Sequence, residues 1–214
     1  MSREFVVTQD SIIGGIGESE RRLFQGIFSS VIEILEPVDE ATADPLEALV
    51  GWDQEISAPE DPALRRLLPD GVAENPEEAL ELRRLTERSV RQSKVGALRA
   101  ASLMFDSEEL RLSLAQAELL ARALNDVRLV LAERLNLHSA EAVELLTEQL
   151  VEPAEAGEAD SETNSEAESE EDVLGVIFRF ASALHGALVH AMLRLRQTQQ
   201  SDEHLGSSGR EDEE

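Results

Sequence analysis

Six phenylalanines, one tryptophan and no tyrosine leave a 214-residue chain to build its interior almost wholly from Leu, Ala, Val and Ile. A sandwich or barrel leans on aromatic and β-branched residues, whereas Leu and Ala are strong helix formers. The composition therefore favours packed helices, and the length is that of one domain with a sizeable core. Cysteine is absent. A disulfide framework, a thiolate metal site, a cysteine nucleophile and a thiol switch are thereby excluded from this chain.

Charge divides the chain into segments. Asp and Glu number 45 against 19 Lys and Arg, for a net charge of −26. Residues 153–172 contain nine acidic groups and no basic one, and 201–214 contain six acidic groups against one arginine. Both tracts are too poor in apolar residues to fold alone. The expected organisation is a helical body with an N-terminal hairpin over 1–152, a disordered acidic insert over 153–171, a C-terminal helix over 172–198 that packs back on the body, and a disordered acidic tail over 199–214. A negative field of this size repels duplex DNA, RNA and anionic lipid, so unaided nucleic-acid binding is disfavoured. No apolar leader with a small-residue cleavage site follows Met1. Arg179 interrupts the one membrane-length candidate, Val173–Leu193, and the apolar stripe from Leu174 through Leu188 to Leu195 reads as an amphipathic helix buried against protein. The expected location is the cytoplasm.

Local signals place the elements. Arg3–Thr8 and Ile12–Ile13 flank Gln9-Asp10-Ser11 as a hairpin would. Gly14-Gly15-Ile16-Gly17 reads as a flexible turn into a helix over 19–35. It lacks the spaced third glycine or Gly-Lys-Ser/Thr of a phosphate cradle, and Glu18 and Glu20 would repel a phosphate. Asp44-Pro45, Asp61-Pro62 and Asn75-Pro76 each set a capping side chain before a proline at the first helical position. The last opens a long helix to about Met104. Leu110–Leu112 is a third short strand candidate, and Ser113 with Gln116 forms a capping box before a helix to about Leu135. Ser139 starts another, to about Val151. The fold class is mainly α: a helical bundle with a small N-terminal β-hairpin and a short third strand.

No residue set for catalysis, cofactor or metal emerges. His185 and His190 lie about 140° apart on a helix and cannot share one metal from one face; His185 reads as a satisfied core histidine. Two surfaces stand out instead. On the helix 76–104, Arg83, Arg84, Arg88, Arg91, Lys94 and Arg99 project within an arc of about 160°. That arc is either a solvated face paired with acidic surroundings or a docking surface for a partner; a third reading folds the acidic insert over it. The opposite face, Leu82, Leu85, Ser89, Ser93, Gly96, Ala97, Ala100, Leu103 and Met104, would let a neighbouring helix approach closely. The second surface is Ala123–Arg128. Asn125 and Asp126 are poor mid-helix residues, so the stretch implies a side-chain network or interface, with Asp126 paired to Arg122 and with Asn125 and Arg128 reaching another element.

Asp44-Pro45-Leu46, the run from Ala58 to Asp70, Leu82-Arg83-Arg84-Leu85 and Ala123 to Leu131, in this order and before a closing helix after an acidic gap, resemble one actinobacterial family. It is domain-of-unknown-function family 2017, the oxidative stress regulator AosR family. The resemblance spans most of residues 1–195. It implies a cytoplasmic, non-enzymatic regulator of transcription with an alternative sigma factor as partner; direct DNA contact through the basic arc, or a link to Clp proteolysis, is the alternative. Redox sensing in that family is attributed to a cysteine pair, which this chain lacks, so no sensor residue carries over.

Overall fold

The computed structural model describes residues 5–36, 57–72, 75–139, 141–144 and 170–208, with side chains to 200. The expected helix over 46–50, Trp52 and the acidic insert up to 169 lie outside the described residues, whereas Glu170 and Glu171, expected in the insert, begin the last helix. The elements in chain order are β1 (Val6–Val7), β2 (Ile12–Gly15), α1 (Glu18–Leu35), α2 (Pro62–Leu67), α3 (Pro76–Met104), β3 (Glu109–Leu112), α4 (Leu114–Arg134) and α5 (Glu170–Ser208). Residues 141–144 are also helical. The chain is mainly helical, with an antiparallel sheet in the order β1-β2-β3.

Helix starts follow the capping residues. The Asp61 carboxylate accepts from the N–H groups of Ala63 (2.7 Å) and Leu64 (3.3 Å). Asn75 does the same for Glu77 and Glu78, and Ser113 and Gln116 close their reciprocal box. Each device satisfies amide donors that the first helical turn leaves without partners.

The glycine run departs from expectation. Gly14 and Gly15 are not a flexible turn; they form the end of β2, opposite Leu110 and Glu109 of β3. Glycine is depleted in strands, so the sequence pattern points away from this assignment. The reason is steric: a Cβ on Gly14 would lie 2.5 Å from the buried Phe5 ring. Gly17 then caps α1, with its N–H donating to the Glu20 carboxylate at 2.9 Å.

Helix α4 occupies the centre and packs against α1, α2, α3, α5 and β3. Its buried residues Ala117, Leu120, Ala121, Ala123, Leu124, Val127, Val130, Leu131 and Ala132 wrap well beyond a single stripe. Alanines on its flanks let neighbouring helices approach. On one side α5 lays Phe178, Ala181, Leu184, Leu188, Ala191 and Leu195 into the core, at helical spacing. By length and composition Glu171–Gln200 is the one described segment that could cross a membrane, and here that apolar stripe lies against protein. The helix continues to Ser208, past the expected end at 198. Four of the six phenylalanines tie the sheet end together: Phe24 packs on Phe28, edge-on to Phe105 at 5.6 Å, and on Phe180 of α5 at 5.3 Å.

Gly14→Val separates propensity from packing. Valine is the better strand residue, yet the collision with Phe5 is expected to lower stability by about 1–3 kcal/mol. Urea unfolding checks the sign: a midpoint at or above the wild-type value would show that Phe5 moves aside freely.

Candidate interaction surfaces

The buried residues of α3 fix how that helix is turned. Ala79, Arg83, Val95, Ala97, Leu98 and Ala101 face inward. The centre of the basic arc lies roughly 70–80° from that direction on the helical wheel, so one edge of the arc points into the body. The rest of the arc turns to the flank, and its cations are bonded within the protein. Arg83, only 6 % exposed, donates to Asp70 (2.7 Å), Glu87 (2.9 Å) and the Leu68 carbonyl (3.0 Å). Arg91 holds Glu87 and donates to the Leu35 carbonyl at 2.7 Å, satisfying the C-terminal end of α1. Arg99 reaches Glu36 at 2.6 Å, Arg84 lies 3.5 Å from Glu81, and Arg88 also has a partner. Of the two readings of the arc, the paired face describes these contacts: Arg83 ties α3 to the segment after α2, and Arg91 and Arg99 tie it to the end of α1, while Arg84, Arg88 and Arg99 stay exposed. Their partners Asp70 and Glu36 are distant in sequence, which hides the pairing from a helical projection.

Lys94 reaches across to α4, where its Nζ donates to the Asp126 carboxylate at 2.6 Å. Asp126 is almost fully buried, and its partner is Lys94, not the expected Arg122, whose side chain is exposed. Burial pushes the Asp126 carboxyl above the usual carboxylate range, against the pull of the Lys94 ammonium. The pair lies at an open cleft of about 420 Å³ between α3 and α4, with Ser89, Ser93, Arg122 and Asn125 around it. Arg128 faces the other way. Its Nε donates to Ser182 Oγ at 3.0 Å, and its Nη1 lies 3.3 Å from His185 Nδ1, linking α4 to α5. An arginine has no acceptor to offer, so this contact assigns Nδ1 the acceptor role and the ring its neutral form. Burial, and then the Arg128 charge, hold the His185 imidazole below the usual histidine range. The Ala123–Arg128 stretch is therefore a two-sided network in which Asp126 binds α3 and Arg128 binds α5. Among the described residues no group of three or more His, Asp or Glu is placed to hold a metal ion.

The surface that faces solvent is the other face of α3. Leu85 and Leu103 are 69 % and 71 % exposed, and Leu82 is also exposed. Between them lie Ser89, Ser93 and Gly96, also exposed, and the half-buried Ala100. A Cβ on Gly96 would meet nothing within 4 Å among the described residues, so no described contact requires glycine there. Mid-helix glycine costs about 0.5–1 kcal/mol relative to alanine. Of the face expected to receive a neighbouring helix, Ala97 is buried in the body and Met104 packs against the core, whereas Leu82, Leu85, Ser89, Ser93, Gly96 and Leu103 are exposed.

Two predictions test the network. Lys94→Met leaves Asp126 buried without its counter-ion and is expected to cost about 2–4 kcal/mol at pH 7, the loss for a broken buried pair reduced for partial exposure of Lys94. The cost should shrink as acid protonates Asp126, and Asp126→Leu in the same chain should restore most of it. A constant loss from pH 7 to 4.5 would contradict the charged-pair account. The second concerns His185. Unfolded histidine binds its proton near pH 6.5, whereas the folded ring binds it only at lower pH. Wild-type stability should therefore fall more steeply than that of His185→Gln as pH drops from 7.5 to 5, and parallel curves would remove His185 from the account.

Comparison with known proteins adds one match. No curated protein and no solved structure matches the chain. A family model described as a domain of unknown function, DUF2017, matches residues 2–192. With nearly its whole length covered, the chain belongs to the DUF2017 family.

Proposed function

We propose that this is a non-enzymatic regulatory protein that acts by binding another protein, with an alternative sigma factor as the partner and oxidative stress as the setting. The observation that carries the binding reading is the outer face of α3, where the leucines at 85 and 103 are left mostly exposed. Contiguous exposed apolar surface marks interaction sites, and on this face Leu82 and Leu85 group at one end with Leu103 at the other. The titratable groups with shifted affinity support the same side of the question. Asp126 is committed to Lys94, and His185 is held neutral against Arg128, so both serve the packing of α4. The sigma-factor partner and the stress setting rest on the resemblance to the oxidative stress regulators within the family. Cysteine is absent, so under this reading thiol sensing would fall to the partner. The cytoplasm is the compartment in which such a partner is met.

Direct binding tests the reading. The purified chain is titrated against purified alternative sigma factors of its own genome, with and without peroxide treatment of the sigma factor. Binding is expected, and Leu85→Ser with Leu103→Ser is expected to weaken it at least tenfold while leaving helix content and thermal stability unchanged, because surface leucines contribute little to folding. Binding to none of them would remove the sigma-factor reading, and capture of a Clp adaptor instead would move the protein to proteolysis. Binding undiminished in the double variant would place the contact elsewhere.

A further inference from the structure

We propose that the cleft between α3 and α4 binds a small organic oxoanion, a carboxylate or phosphate head on a short hydroxylated body, with Arg122 and Asn125 holding the head. Arg122 is the cation that the fold leaves over. Its one-turn neighbours along α4 are Glu118 and Asp126, and cations of other helices hold both. Arg196 of α5 donates to Glu118, and Lys94 of α3 donates to Asp126 at 2.6 Å. Arg122 is left exposed, with no bonded partner among the described residues. A guanidinium in that state offers a planar fork of donors that matches two oxygens of a carboxylate or phosphate.

Asn125 supplies an independent observation. Asparagine is a poor helix former, and a side-chain hydrogen bond is what usually offsets its place inside a helix. Asn125 is expected from sequence to reach another element, yet its half-buried side chain lines the cleft and bonds none of the described residues. Ser93, on the facing wall, also has no described hydrogen-bond partner, and Lys94 uses only one of its three N–H groups on Asp126. Donors without partners thus line the cleft from both helices. The Asp126 carboxylate sets a limit on the ligand: it favours a hydroxyl beside the acid group over a second negative charge. Val90 and Ala97 add apolar wall, and the cleft of about 420 Å³ has the volume of a small-molecule site. Its charged lining, Lys94, Arg122 and Asp126, leaves one net positive charge. The field of the acidic chain opposes any anion from afar, but physiological salt confines it to about 8 Å, so the lining decides.

Nuclear magnetic resonance of the isotope-labelled full chain tests the site at fixed ionic strength. The probes are glycerol 3-phosphate, inorganic phosphate and malate, with glycerol and sodium chloride as controls. Glycerol 3-phosphate is expected to saturate with a dissociation constant of about 0.1–1 mM and to shift the amides of Ser93, Lys94, Arg122 and Asn125 together. Arg122→Gln should weaken binding about tenfold or more and Asn125→Ala about threefold. Their melting temperatures should stay at or above the wild-type value, since neither side chain has a described hydrogen bond to lose. Arg194→Gln removes another exposed arginine whose side chain has no described partner, and it should change nothing. Saturation by malate as well as the phosphates assigns a general oxoanion head, by the phosphates alone a phosphoryl head, and by malate alone a carboxylate; each supports the proposal. Shifts that grow without saturating, that glycerol or sodium chloride reproduces, or that survive Arg122→Gln overturn it, and so does the absence of shifts. The protein-partner reading is untouched by either result, because its contact lies on exposed leucines outside the cleft.

Discussion

The rest of the structure depends on the burial of α4 over most of its circumference. A helix that presents one stripe to a core needs one neighbour, but α4 buries residues from Ala123 and Val130 round to Ala121 and Ala132 and needs neighbours on most of its circumference. α3, α5 and α2 supply them. The requirement explains the composition of the helix: leucine and valine fill the widest gaps, and alanine occupies the lines along which another backbone comes close. It also explains why removing one large side chain here would be felt in several elements at once. Protein interiors are close-packed and relax only partly around a cavity.

Hydrophobic burial alone does not orient helices around such a spine, because an aliphatic surface of alanine and leucine accepts many rotations. The polar contacts select among them. Lys94 and Asp126 fix the rotation of α3 on α4, Arg91 and Arg99 fix α1 against α3, and Arg128 with Ser182 and His185 fixes α5. Such contacts add modest net stability, since desolvation opposes them. Their larger effect is to make other rotations costly by leaving charge unpaired in the interior.

The sequence made the local part of this legible. Caps at Asp61, Asn75 and Ser113 announce their helices because the donor and acceptor lie within three residues of one another. The hairpin and the third strand are visible in short apolar runs. Relations between distant residues were hidden. A helical projection gathers Arg83, Arg91 and Lys94 into one arc, but whether an arc meets water or carboxylates depends on Asp70, Glu87 and Asp126, two of them outside that helix. Assigning Asp126 to Arg122 followed the one-turn spacing within a helix, and tertiary contact with Lys94 overrides it. Gly14 reads as a turn residue until Phe5 is seen lying on it. One signal did foreshadow the network: two poor helix formers, Asn125 and Asp126, side by side in an otherwise strong helix.

Spending the cations inside has a consequence for what the outside can bind. An acidic chain that recognises DNA must present unpaired positive charge, because affinity comes from releasing counterions at phosphates. Here Arg83 is buried, Arg91 and Lys94 are committed to carboxylates, and the exposed Arg84, Arg88 and Arg99 each have a partner. A phosphate backbone would have to displace those carboxylates and then meet the field of 26 excess negative charges. Under the proposed reading a protein partner would face neither cost at the outer face of α3, whose exposed Leu82, Leu85, Ser89, Ser93, Gly96 and Leu103 are uncharged. The same arrangement that rigidifies the bundle leaves this strip of α3 uncharged and exposed among the described residues. Recognition at such a strip is decided by side-chain size along one line, with charge acting only at longer range.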